Sequence, residues 1–152
     1  MEKLKKGWAL TLEARSANLD QAISFVSGKL EAADCPVKIQ MQIEVAVEEL
    51  FVNVASYAYP SGSGSVTIDM EITEEPAAAV ITFTDSGIPF NPLKKDDPDI
   101  ALSAEERQIG GLGIYMVKKS MDDIAYAYRD GRNVLRIVKY LSVPRGSNSR
   151  GQ

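Results

Sequence analysis

The spacing of apolar residues changes along this chain in a way that marks out most of its elements. Trp8, Leu10 and Leu12 alternate with polar neighbours, the period of a half-buried strand. Leu19, Ile23, Val26 and Leu30 then recur at helical spacing and predict a helix over 18–33. Asp34-Cys35-Pro36 interrupts it, and Pro36 suits the first turn of a second helix because it has no backbone N–H to leave unpaired. That helix carries Ile39, Ile43, Ala46, Leu50 and Val54 on one face and is expected to end near Pro60. A Gly/Ser turn at 61–65 leads to a strand marked by Val66, Ile68, Met70 and Ile72. Glu74-Glu75-Pro76 turns again, and 79–84 reads as the next strand. Residues 86–109 hold three prolines and many polar groups and read as a loop, whose length points to function. A short helix is expected from the glycines at 110, 111 and 113 to about Met121. Strands at 123–129 and 133–141 flank Asp130-Gly131, a strong hairpin signal. The order β-α-α-β-β-loop-α-β-β predicts an α+β fold, a two-layer α/β sandwich. Its sheet is expected to be mixed but mostly antiparallel, with the helices on one face.

Composition narrows the chemistry more than it changes that outline. A length of 152 residues with 45% apolar content supports one core, so a single domain is expected over 1–142. Residues 143–152 read as a disordered tail or a cloning remnant. The net charge of -4 is spread without blocks, which gives no footprint for direct nucleic-acid binding. No apolar run approaches the roughly 20 residues that span a bilayer, and the basic 1–6 segment lacks an apolar signal core. A cytoplasmic protein without membrane partners is expected. The single cysteine, Cys35, precludes an internal disulfide and a cysteine zinc cluster, and is expected to serve as a small buried apolar side chain. Histidine is absent altogether, which removes Ser-His-Asp and Cys-His catalysis, histidine-bound metals and a histidine phosphoacceptor. Carboxylates, amides, backbone groups and a hard metal are left to carry any chemistry.

Three segments offer such groups. On the long helix, Glu48-Glu49-Leu50-Phe51-Val52-Asn53 places Glu49 and Asn53 one turn apart on one face. An ionised glutamate can accept a proton at neutral pH, and an asparagine carbonyl is a hard oxygen ligand suited to Mg²⁺. A plain solvated face, or a buried amide bonded to backbone, is the alternative. After a strand comes Thr84-Asp85-Ser86-Gly87-Ile88-Pro89-Phe90, where Asp85 can accept a hydrogen bond from the adenine amine and Gly87 lets a flat base approach; an ordinary Asp-Ser-Gly turn fits as well. Gly110-Gly111-Leu112-Gly113-Ile114 opens a helix and exposes N–H groups to an anion, with a simple hinge as its alternative. It is neither a P-loop nor a Rossmann fingerprint.

Together, Glu-x-x-x-Asn on a helix, Asp-x-Gly-x-Pro-Phe after a strand and Gly-Gly-Leu-Gly opening a helix resemble the histidine-kinase-like ATPase (Bergerat) fold. Within it the chain is most similar to the anti-sigma-factor serine/threonine kinase branch, across residues 8–141. Ala46-Val47-Glu48-Glu49, Ala58-Tyr59, Ile109 to Tyr115, Met121-Asp122-Asp123 and Val138-Lys139-Tyr140-Leu141 carry that similarity. The resemblance implies ATP and Mg²⁺ as cofactors. Glu49 would be the general base and Asn53 the Mg²⁺ ligand; Asp85 would read the adenine amine, with Gly87 beside the base. Gly111, Leu112 and Gly113 would contact phosphate. Residues 91–109 would form the ATP lid, with Arg107 reaching the γ-phosphate, a set sufficient for in-line phosphoryl transfer. Two departures stand out. Tyr57 occupies the place of a frequent histidine, and Val138 is taken as the position where many members carry a threonine near the adenine-binding aspartate.

The resemblance implies a kinase that phosphorylates a serine or threonine of an anti-anti-sigma antagonist protein and binds a sigma factor. Homodimerisation is left open. The alternative is a nucleotide-dependent binding module without appreciable kinase activity. A sensor histidine kinase is disfavoured, because no histidine is present to be phosphorylated.

Overall fold

The alternation around Trp8 becomes strand β1, Lys5–Glu13, and the two helical stretches become α1, Leu19–Ala32, and α2, Val37–Tyr57. Strands β2, Ser65–Thr73, and β3, Ala78–Asp85, follow; α3, Gly111–Ser120, precedes β4, Asp123–Arg129, and β5, Arg132–Tyr140. The computed structural model describes residues 5–94 and 111–142, so the expected tail at 143–152 lies outside it.

Local chemistry explains the boundaries. At the end of α1 the chain turns through Asp34 at φ 58, with Asp34 N–H donating to the Glu31 carbonyl at 3.0 Å and Cys35 N–H to the Leu30 carbonyl at 3.1 Å. These two bonds form a Schellman stop, with aspartate where glycine is usual. Pro36 stands at the cap of α2, one position ahead of the first turn where it was expected. Between β4 and β5, Asp130 and Gly131 both take positive φ, 55 and 77, as a two-residue hairpin turn of the primed type demands.

The sheet order is β1-β2-β3-β5-β4, and every neighbouring pair is antiparallel. The expected mixed sheet is therefore corrected to a wholly antiparallel one among the described strands. The cause is topological. Two helices separate β1 from β2 and return the chain to run against β1. The single crossover through α3 leaves β4 parallel to β3, as one helix must, but β5 inserts between them.

Burial alternates along the strands as a one-sided sheet requires. Val66, Ile68 and Met70 of β2, Ile81 and Phe83 of β3, and Leu135 and Ile137 of β5 are buried, together with Val26 and Leu30 of α1, Ile43, Val47, Leu50 and Phe51 of α2, and Ile114 and Val117 of α3. The opposite face carries Thr11, hydrogen-bonded to Thr67 at 2.8 Å in an exposed setting. The expected arrangement of two layers, with helices on one face, holds.

Residues outside the three candidate segments lock α3 onto this sheet. Asp122 N–H donates to the Val138 carbonyl at 2.8 Å, Tyr140 N–H to Asp122 Oδ2 at 2.7 Å, and Lys139 Nζ to the Ser120 carbonyl at 2.6 Å. The lysine closes the negative end of α3. The opposite end of that helix then faces α2.

Candidate functional site

Helix α2 supplies two of the candidate groups. Its apolar stripe faces the sheet, and Glu49 and Asn53 fall one turn apart at its border, half-buried rather than solvated. The Glu49 carboxylate lies against the first turn of α3. A Cβ built on Gly113 would come within 2.2 Å of the Glu49 carboxyl carbon, so the glycine lets that carboxylate lie where it does. Burial, and then the neighbouring Glu48 carboxylate, hold the Glu49 carboxyl above the ordinary glutamate range. Such a group is a stronger proton acceptor than a surface glutamate once it is ionised.

Asn53 stands apart in another way. Its Nδ2 is the one buried side-chain nitrogen or oxygen without a hydrogen-bond partner among the described residues. An unpaired buried amide costs roughly 1–3 kcal/mol, so the position calls for a ligand. A half-turn of the amide exchanges its nitrogen and oxygen. Asn53 therefore fits as a carbonyl ligand to a hard cation. The described residues offer no cluster of three or more His, Cys, Asp or Glu side chains. Mg²⁺, which binds through few protein groups plus water and phosphate, suits a site of this kind.

At the far end of α2 the segment after β3 folds back under the helix. Gly87 was expected to make room for a flat base; a Cβ there would also meet the Ala58 backbone oxygen at 2.2 Å, and Ile88 N–H donates to that oxygen at 2.9 Å. The missing side chain is demanded by the end of α2. Tyr59 completes the joint: its hydroxyl donates to the Ser65 carbonyl at 2.6 Å and accepts from Ser86 N–H at 2.9 Å. Tyr57, in the place of the expected histidine, stacks on Phe90 with centroids 5.0 Å apart.

Asp85 is buried at the end of β3, and its register partner on β5 is Asn133, also buried. Asp85 Oδ1 accepts from Gly87 N–H at 2.8 Å and from Asn133 Nδ2 at 2.9 Å. The position expected to stand near this aspartate, Val138, does not. It pairs with Val80 and Asp123 toward the opposite end of β5, and its odd separation from Asn133 puts it on the other face of the sheet. Asn133 is the residue that sequence reasoning missed. Its place two residues after the Asp130-Gly131 turn was visible, but no motif pairs it with Asp85, because register decides that pairing.

Asn53 and Asp85 line one cavity with Leu50, Phe83, Phe90 and Tyr126. The described walls enclose about 30 Å³, room for a water or two, so a nucleobase requires the walls to part. Phe90 and Pro92, carried on the segment after β3, form one wall of the cavity. Glu49 lies one turn farther along α2, against Gly113. Gly111 and Leu112 begin α3. Arg107 and residues 95–109 of the expected lid lie outside the described residues.

Comparison with known proteins agrees with this geometry. The family model described as the histidine kinase-like ATPase domain matches residues 12–139. The serine-protein kinase RsbW of Bacillus cereus (strain ATCC 10987 / NRS 248) is 31% identical over 101 residues, 65% of this chain and 62% of the relative. The protein of the same name from Bacillus mycoides (strain KBAB4) is 29% identical over 103 residues, with the same shares covered. The chain thus matches less than two thirds of the length of those kinases. Among solved structures, the RsbU and RsbW domains of a Mycobacterium tuberculosis protein align over 91% of this chain and 33% of that one, with a TM-score of 0.65 at 12% identity, a likeness of fold. With the matched model running from the end of β1 into β5 and taking in all three helices, the chain belongs to the histidine kinase-like ATPase domain family.

Proposed function

We propose that this chain is an ATP-binding serine/threonine protein kinase of the anti-sigma-factor type, which transfers the ATP γ-phosphate to a serine or threonine of an antagonist protein and binds a sigma factor. The observation that carries the reading is the pairing on α2. Glu49, held above the ordinary carboxylate range, sits against the first turn of α3, and one turn away lies Asn53 with its buried unpaired amide. Three likenesses support the kinase reading: the family match, the similarity to proteins named serine-protein kinases, and the ordered motifs.

In this reading Asp85 accepts a hydrogen bond from the adenine amine at the sheet end of the cavity, and Asn53 holds Mg²⁺ at the other. The metal, when bound, neutralises charge on the phosphates. Glu49 takes the proton of the attacking hydroxyl. The first N–H groups of α3, with Gly111, Leu112 and Gly113, face phosphate, since the opening turn of a helix leaves them unpaired. Arg107 supplies positive charge to the γ-phosphate. The helices include none long and apolar enough to cross a membrane among the described residues, in keeping with a cytoplasmic protein.

The test mixes the protein with Mg-ATP and candidate antagonist proteins and follows phosphate on serine and threonine. Transfer that disappears in Glu49→Ala, with ATP affinity retained, supports a kinase. Tight nucleotide binding without transfer to any candidate would establish the binding module in its place.

A further inference from the structure

Asn133 is in hydrogen-bond contact with three separate segments. Nδ2 donates to Asp85 Oδ1 at 2.9 Å and to the Ile88 carbonyl at 2.8 Å. Oδ1 accepts from Phe90 N–H at 3.0 Å and from the Tyr126 hydroxyl. An asparagine side chain has two donor hydrogens and two acceptor lone pairs, so all four are used. The amide cannot be turned over: its oxygen would then face the Asp85 carboxylate and the Ile88 carbonyl, and its NH₂ would face the Phe90 N–H. Burial pushes the Tyr126 phenol up, which keeps it a donor at neutral pH.

The consequence falls on Asp85. A carboxylate reads a purine through one or both oxygens. Guanine offers two adjacent donors, N1–H and the 2-amine, which suit two carboxylate oxygens at once; adenine offers one amine donor. Both lone pairs of Asp85 Oδ1 are already taken, by Gly87 N–H and by Asn133 Nδ2. Only Oδ2 remains to accept.

We propose that Asn133 is a specificity-determining residue, which occupies Asp85 Oδ1 so that the aspartate acts as a one-point acceptor and selects adenine over guanine. The proposal rests on the nucleotide-binding reading of this cavity. Asn133 does so from β5 by register alone, and its bonds to Ile88 and Phe90 also hold the segment that walls the cavity.

The experiment titrates ATP, GTP and inosine triphosphate, each with Mg²⁺, into the wild type and Asn133→Leu, with thermal unfolding as the check on folding. Inosine keeps the N1–H but lacks the 2-amine. In the wild type ATP binds best, and GTP binds no more tightly than inosine triphosphate, because the second donor finds no free oxygen. In Asn133→Leu one lone pair of Oδ1 is released, and GTP gains roughly tenfold over inosine triphosphate, the size of one added hydrogen bond to a charged group. A wild type that already prefers GTP to inosine triphosphate tenfold overturns the proposal without any variant. So does a folded Asn133→Leu that still binds ATP with the GTP-to-inosine ratio unchanged, since a merely structural residue weakens all three alike. Failure of ATP itself to bind the wild type overturns the nucleotide reading, and this proposal with it.

Discussion

The two ends of the site, both beside the C-terminal turns of α2, handle their polar groups in opposite ways. At the Asp85 end, Asn133 has every donor and acceptor satisfied, and Gly87 is pinned against the Ala58 backbone. At the Glu49 end, one amide nitrogen is buried without a partner, and a carboxyl is held above its ordinary range. A saturated network is rigid and suits recognition. An unsatisfied one stores a cost that a ligand can relieve, and suits binding charge and moving a proton. The same helix borders both, and the packing against it differs at the two glycines: Gly87 abuts backbone, whereas Gly113 abuts the tip of a side chain.

This contrast can be broken by substitution, and the largest effect is expected at the base. Glu49→Ala should lower phosphoryl transfer by about 10²–10⁴-fold with little change in ATP affinity, measured as kcat beside a binding titration. Next comes Gly113→Ala, which displaces the Glu49 carboxylate. Transfer should fall by about 10²-fold while the unfolding midpoint scarcely moves, because the neighbour can swing aside. Gly87→Ala should do the reverse and cost about 1–3 kcal/mol in urea unfolding, since the Ala58 backbone cannot yield. If Gly113→Ala unfolds the protein and Gly87→Ala is silent, the comparison is wrong. Asn53→Leu removes the unpaired amide; it should raise stability by about 1 kcal/mol in the absence of nucleotide while abolishing any Mg²⁺ dependence of ATP binding.

The smallest effect concerns pH. The folded protein holds the Glu49 proton more tightly than the unfolded chain does. Its stabilising contribution is therefore full below the unfolded glutamate value of about 4.3 and is lost as pH rises through the raised folded value. Glu49→Gln should accordingly stabilise at neutral pH and make little difference in acid. The acid limb of kcat/KM should lie above the ordinary glutamate range. Glu48→Gln, removing the lesser cause, should move that limb slightly toward acid, and a limb that stays in place would leave burial alone responsible.

How much was legible depends on how far apart the contributing residues lie. Every element expected from periodicity is present, and the Asp130-Gly131 turn forms as its composition demands. Helical spacing alone placed Glu49 and Asn53 on one face. Assigning Val138 to the neighbourhood of Asp85 failed, because distance along β5 gives neither the register nor the face. Gly87 was read for its freedom to admit a base; that it also makes room for the backbone of Ala58, at the cap of α2, was not legible. Asn133 carried no signal of its own; an asparagine after a turn is ordinary until a second strand sets Asp85 beside it.

The sequence by itself determined the elements, their order and the one-sided burial, since these follow from repeats of two and 3.6 residues read within a single segment. Tertiary structure alone decided that the sheet is wholly antiparallel, that Gly113 makes room for a carboxylate from another helix, and that Asn133 takes up one oxygen of Asp85. These are meetings between segments distant in sequence. Their outcome turns on strand register and helix seating to within a fraction of an ångström, which local periodicity does not encode.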